Sequence, residues 1–130
     1  MKRAERLLNL IERVKREGLK PKISAEFRLA YGDRYSRALD AVARDCVRRY
    51  LFEPSGKEIW IVEGKEASYF VIPYAYCDCD DFYLNVVIRG LIDACYHLIA
   101  QAIAEALGRY TTTRLPDDVY RRMMNEWLKL

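Results

Sequence analysis

Tyr76-Cys77-Asp78-Cys79-Asp80-Asp81-Phe82 and Cys95-Tyr96-His97-Leu98-Ile99-Ala100, with fifteen residues between Cys79 and Cys95, hold three of the chain's four cysteines and its only histidine. Three thiolates and one imidazole are the donor set of a closed tetrahedral zinc site, with Zn–S near about 2.3 Å and Zn–N near about 2.0–2.1 Å. Sulfur and imidazole ligands favour zinc over magnesium or calcium, which prefer oxygen. Four protein ligands leave no coordination position for substrate, so the pattern predicts one structural Zn2+ held by Cys77, Cys79, Cys95 and His97.

Other readings of these residues exist one at a time. A cysteine is often a small buried hydrophobe, and a lone histidine is commonly a hydrogen-bonded core residue. A disulfide framework would leave one of Cys77, Cys79 and Cys95 to pair with Cys46 and would give His97 no role. Cys46 falls at a helix-to-strand junction and reads as a core residue. The coincidence of four placements favours the metal.

Working outward, the pattern upstream of Cys77 has a period of two. Val47 to Phe52, Glu58 to Glu63 and Ser68 to Ile72 read as strands rich in β-branched and aromatic residues. Pro54-Ser55-Gly56-Lys57 and Gly64-Lys65-Glu66 supply the turns. The meander delivers Cys77 and Cys79 from its end, and residues two apart in an extended chain project to one side. The spacer holds Phe82, Tyr83, Leu84, Val86, Val87 and Ile88, and so much apolar surface predicts packing against the finger. Asp93 is the expected N-cap of a helix running to Leu107 and stopped by Gly108, with Cys95 and His97 in its first turn. There the helix dipole favours a thiolate.

The first third reads as helical: 3–17, a turn at Lys20-Pro21-Lys22, a short helix with Ser24 as its expected N-cap running to about Ala30, and a third over 34–46. After a threonine-rich turn at 111–113, Pro116 opens a last helix over 117–129. Its apolar face, Val119, Tyr120, Met123, Met124, Trp127 and Leu128, suits intramolecular packing first and a docking surface second. The expected class is therefore α+β: N-terminal helices, a small antiparallel β-meander, a zinc-stapled C-terminal helix and a terminal helix. The divisions fall at 1–45, 46–108 and 109–130 within one compact unit.

Composition limits the function. The chain has 130 residues, 52% hydrophobic and 32% charged, and a formal net charge of +3. Residues 1–50 carry fourteen Lys/Arg against seven Asp/Glu, and residues 51–130 carry eight against twelve. Phosphate contacts, if any, would come from the basic N-terminal helices, because Asp78, Asp80, Asp81 and Asp93 surround the finger. A solvated helix face is the simpler explanation of the basic residues. No apolar run approaches the roughly 18–20 residues of a membrane span, and the broken apolar stretch after Met1 reads as an amphipathic helix rather than a signal peptide. Zinc thiolates suit a reducing, intracellular setting. With the only histidine committed to metal, Ser-His and Cys-His nucleophile pairs are not available. Nor is there a phosphate-binding glycine loop. A catalytic role is not expected.

The arrangement around the ligands resembles the SWIM-type zinc finger, which follows a C-x-C, spacer, C-x-H plan with an aromatic after the first pair and an apolar helix after the histidine. Phe52-Glu53-Pro54-Ser55-Gly56-Lys57, Trp60-Ile61-Val62-Glu63-Gly64 and Tyr69-Phe70-Val71-Ile72-Pro73 are similar to the strands that precede that finger. The Pro-Ser-Gly turn and the Cys-x-His-Leu-x-Ala run resemble the SWIM-domain subunit of Shu-type recombination complexes and its archaeal relatives. The likeness covers about residues 46–108, and Tyr96 stands where the family commonly has a basic residue. It implies a ββα finger and a non-enzymatic adaptor that pairs with a RecA-family recombinase or paralogue in homologous recombination and DNA repair. The alternative is a DNA-binding zinc module that uses the basic N-terminal helices.

Overall fold

The computed structural model describes residues 3–127. Three helices open the chain, α1 (Glu5–Glu17), α2 (Pro21–Tyr31) and α3 (Asp33–Ala43). Strands β1 (Val47–Glu53), β2 (Glu58–Glu63), β3 (Ser68–Ile72) and β4 (Tyr76–Cys77) follow, then a π-helical segment at Phe82–Ile88. The chain continues through α4 (Tyr96–Leu107), β5 (Thr111–Pro116) and α5 (Asp117–Trp127). The architecture is α+β, as the sequence predicts.

The strands form one sheet in the order β4-β3-β2-β1-β5. The meander from β1 to β4 is antiparallel, with Val62 opposite Val47 and Tyr69. Alternation gives the sheet two apolar faces. Val47, Trp60, Val62 and Val71 point to the larger core, whereas Phe52, Ile59, Ile61 and Phe70 form a second cluster behind it.

Helix α4 lies in the larger core. Eight consecutive residues, His97 to Ala104, are buried on it, which suits a helix enclosed by the sheet on one side and α1–α3 on the other. Its alanines at 100, 102 and 104 let neighbouring backbones come close. Leu7, Leu10, Ile11 and Val14 of α1 and Tyr35, Ala38, Ala41 and Val42 of α3 line that core. Phe27 stacks on Tyr35 at 4.9 Å between ring centroids. Gly108 ends α4 in the left-handed conformation at φ 70°, where a residue with a Cβ is disfavoured.

Four expectations need correction. Pro21 is not in a turn: it is the first residue of α2, where its missing N–H costs no hydrogen bond. Ser24 does not cap that helix, and its hydroxyl instead bonds the Tyr35 hydroxyl at 2.6 Å. The third helix ends at Ala43 rather than at 46, and Asp45 at φ 58° turns the chain into β1. The threonine-rich segment is not a turn but strand β5, parallel to β1 with Arg48 opposite Thr111 and Glu53 opposite Pro116. Threonine is β-branched and suits a strand. At an exposed edge it leaves no apolar alternation to read.

The last helix covers the outer sheet face. Val119, Tyr120, Met123, Met124 and Trp127 pack on the cluster of Phe52, Ile59, Ile61 and Phe70 and are each half-buried. Tyr120 meets Phe52 edge-on at 5.1 Å, and Trp127 stacks on Phe70 at 6.2 Å. Asp117 accepts hydrogen bonds from the Ser55 backbone N–H and hydroxyl, tying the helix start to the β1–β2 turn. Leu128 and the predicted end at 129 lie outside the described residues.

Candidate metal centre

Cys77 sits on edge strand β4, Cys79 two residues beyond it, Cys95 immediately before α4, and His97 in the first turn of that helix. All four are at most 5% exposed. One ligand atom from each lies within 4.8 Å of the other three. A tetrahedron with the expected zinc bond lengths has edges of about 3.5–3.8 Å, and Cys77 Sγ stands 3.7 Å from His97 Nδ1. Among the described residues this is the one group of three or more potential ligands so gathered. All four cysteines are free, so the disulfide alternative is not formed. The donor set, its spacing and its burial fit one four-coordinate zinc.

Local backbone structure explains the convergence. Asp78 is pinned to β3 in both directions: its N–H donates to the Phe70 carbonyl at 3.3 Å, and its carboxylate accepts from the Phe70 N–H at 3.0 Å. That clamp fixes the turn between Cys77 and Cys79. The Phe82 N–H then donates to Cys79 Sγ at 3.4 Å, a contact that favours thiolate. Across the site Cys95 is the N-cap of α4 with extended backbone (φ −84°, ψ 172°). Its side chain makes no cap hydrogen bond, which leaves the sulfur free to face the other three residues.

Asp93 is therefore not the cap of α4. Its carboxylate accepts from the Arg6 backbone N–H at 3.2 Å and the Tyr31 hydroxyl at 2.9 Å, joining α1 and α2 to the segment that leads into Cys95. Asp81 performs a similar task on the other side. It accepts two hydrogen bonds of 2.8 Å from the Arg34 guanidinium and one of 2.7 Å from the Asn85 side chain. The Arg34 hydrogen bonds hold the Asp81 carboxyl below its ordinary range. These two aspartates dock the N-terminal helices onto the finger, which residue types and spacing alone did not disclose. Asp80 is exposed.

The thiols differ in acidity. Cys79 is pushed far below the ordinary thiol range because Cys77 and Cys95 donate hydrogen bonds to its sulfur. Cys77, the donor, is pushed far above that range, and burial raises Cys95. A coordinated divalent metal makes thiol ligands deprotonated outright and so levels these differences.

His97 is flanked by two tilted tyrosine rings. The Tyr69 and Tyr96 rings lie 4.2 and 3.9 Å from its imidazole, centroid to centroid, and the Arg37 guanidinium lies 4.4 Å from the Tyr96 centroid. Its Nε2 is buried and has no hydrogen-bond partner among the described residues. Metal-bound imidazoles usually donate that second N–H to an oxygen; here two rings flank the imidazole instead. No sequence signal short of the folded arrangement places Arg37 and Tyr69 there.

The spacer departs from expectation. Phe82 is buried, but Tyr83, Leu84, Val87, Ile88 and Leu91 are between 42% and 73% exposed. Most of this apolar segment faces outward rather than packing on the finger, because the π-helical turn directs Phe82 inward toward Tyr76 and carries the following residues past the edge of the sheet. Among the described residues no helix is long and apolar enough to cross a membrane.

Comparison with known proteins follows the same lines. No protein-family model matches the chain, and no solved structure matches it. A zinc finger SWIM domain-containing protein 7 homolog of Dictyostelium discoideum is 24% identical over 86 residues, 65% of this chain and 55% of that protein. The chain thus spans about half the length of that relative. An uncharacterized protein of Archaeoglobus fulgidus is 29% identical over 100 residues, 77% of this chain and 79% of the relative. Distant homology to a SWIM zinc-finger protein and the Cys3His cluster together fit a SWIM-like zinc finger.

Proposed function

We propose that the chain is an intracellular, non-catalytic adaptor stapled by one zinc ion, and that it pairs with a RecA-family recombinase or paralogue to regulate homologous recombination and DNA repair. The zinc belongs to Cys77, Cys79, Cys95 and His97, a full tetrahedral set that leaves no position for a substrate or a reactive water. The observation that carries an adaptor role is the pairing of this closed centre with the exposed apolar side chains of Tyr83, Leu84, Val87, Ile88 and Leu91 beside it. Large apolar side chains exposed this close together in sequence are the kind of surface that interaction sites use. The recombination setting rests on the resemblance of residues 46–108 to the Shu-type SWIM subunit. The metal's task is to hold β4 to α4 across the spacer, and a structural zinc can supply roughly 10–16 kcal/mol of apparent binding energy at neutral pH.

A tagged pull-down from nuclease-treated native-host lysate, read by mass spectrometry, tests the pairing. Stoichiometric enrichment of a RecA-family ATPase is the expected result. Its absence, together with salt-sensitive binding to naked DNA, would instead assign the chain as a DNA-binding zinc module that uses its basic N-terminal helices.

A further inference from the structure

Between β4 and the π-helical segment runs a groove of about 450 Å³, walled by Tyr76, Phe82, Tyr83 and Val87 and backed by Cys77 and Cys79. Among the described residues its only charged lining residues are Asp78 and Asp80, both acidic and both exposed. The coordinated site behind them adds negative charge, since three thiolates outweigh a divalent ion by one. Leu84, Ile88 and Leu91 continue the apolar surface beyond the groove and are 42%, 60% and 73% exposed. Arg89, past Ile88 on the same segment, donates to the Asn85 side chain, and Arg37, Arg44 and Lys65 line a separate cavity on the other side of Asp78 and Asp80.

An apolar groove with an acidic rim selects among occupants. Nucleic acid is disfavoured, because phosphates would meet Asp78 and Asp80. A second copy docked isologously sets the same patch against itself and brings the two acidic rims together. A protein segment with an apolar anchor and an adjacent cation satisfies both features: the anchor fills the space between Tyr76 and Val87 while the cation meets the aspartates. We propose that this groove takes a segment of a partner protein in which a large apolar side chain stands next to a lysine or arginine. This rests on the adaptor reading and names the chemistry of the contact.

The test is selection of a random peptide library displayed on phage against the full chain, with the selected peptides synthesised and their affinities measured by fluorescence anisotropy. The expected consensus has an aromatic or large aliphatic residue within a few positions of Lys or Arg. Val87→Asp is expected to weaken binding at least tenfold; Val87 is 54% exposed, so this variant keeps the fold. Asp80→Asn is expected to weaken it several-fold at low salt and less at high salt. An acidic consensus, no enrichment, or affinities unchanged in both variants overturns the proposal. So does a wild-type dimer that Val87→Asp converts to monomer, because the occupant is then a second copy. If wild type and Val87→Asp capture a RecA-family ATPase from lysate equally well, the groove is refuted and the adaptor reading stands. If neither captures any protein, the adaptor reading itself fails.

Discussion

His97 shows how one residue's surroundings set the behaviour of a metal site. Its Nδ1 faces Cys77, Nε2 has no hydrogen-bond partner among the described residues, and the Tyr69 and Tyr96 rings flank the imidazole, which makes them its positioning contacts. Replacing Tyr96 or Tyr69 by leucine removes an aromatic face without removing apolar bulk. Each change is expected to speed zinc release to a chromophoric chelator about tenfold, in line with the effect of outer-sphere partners on metal affinity. The corresponding phenylalanine variants keep the ring and should release zinc at the wild-type rate. Equal rates for Leu and Phe variants would show that stacking does not orient the ligand. Arg34 acts at the same scale on the neighbouring turn. Its two bonds to Asp81 span 47 residues of chain, but both side chains are about a third exposed. Arg34→Ala should therefore cost only about 1 kcal/mol in denaturant unfolding. A loss several times larger would mean that the pair organises more of the finger than its own contact.

At the level of elements, the parts legible in the sequence are those whose periodicity has a single physical cause. Strands β1 to β3 alternate because each faces two apolar clusters, and Ile59 and Ile61 separate cleanly from Trp60 and Val62. The Cys77, Cys79, Cys95 and His97 cluster was legible because few other arrangements bring three cysteines and the only histidine together. Strand β5 was not legible: it is an exposed edge of polar residues, and its pairing partner β1 lies more than sixty residues away. The spacer misled in the opposite direction, since apolar content was read as burial although most of it faces outward. Pro21 misled because a proline marks a helix start as readily as a turn. Helix α5 sits between these cases, amphipathic in sequence and half-buried in the fold. Truncation after Pro116 removes the cover over Phe52, Ile59, Ile61 and Phe70. The shortened chain is expected to bind a hydrophobic dye and aggregate on warming. A truncated chain as soluble and as heat-resistant as the full one would show that α5 contributes little to the core and would make its apolar face a candidate interface.

For the whole molecule, the centre is where three layers meet: the sheet through β4, the buried helix α4, and the N-terminal helices through Arg34–Asp81 and through Asp93. Buried tyrosines report on the integrity of that arrangement. Burial raises Tyr31 well above the ordinary phenol range, with Asp93 adding to it, and burial together with Glu105 raises Tyr74 to about 12. For such groups the unfolded chain loses its proton first, so their contribution is complete below pH of about 10 and is lost as pH climbs from there toward 12. An absorbance titration should show Tyr31 and Tyr74 held back to a late cooperative step in which the fold opens. One smooth transition for all ten tyrosines would contradict the burial assigned to Tyr31 and Tyr74. The central claim, that Cys77, Cys79, Cys95 and His97 close around one zinc that holds the fold, is tested most directly by zinc-edge X-ray absorption on the purified chain. The account predicts one zinc per chain with three sulfurs at about 2.3 Å and one nitrogen at about 2.0–2.1 Å. A shell containing oxygen or fewer sulfurs, or a chain purified without zinc and fully folded, would contradict it.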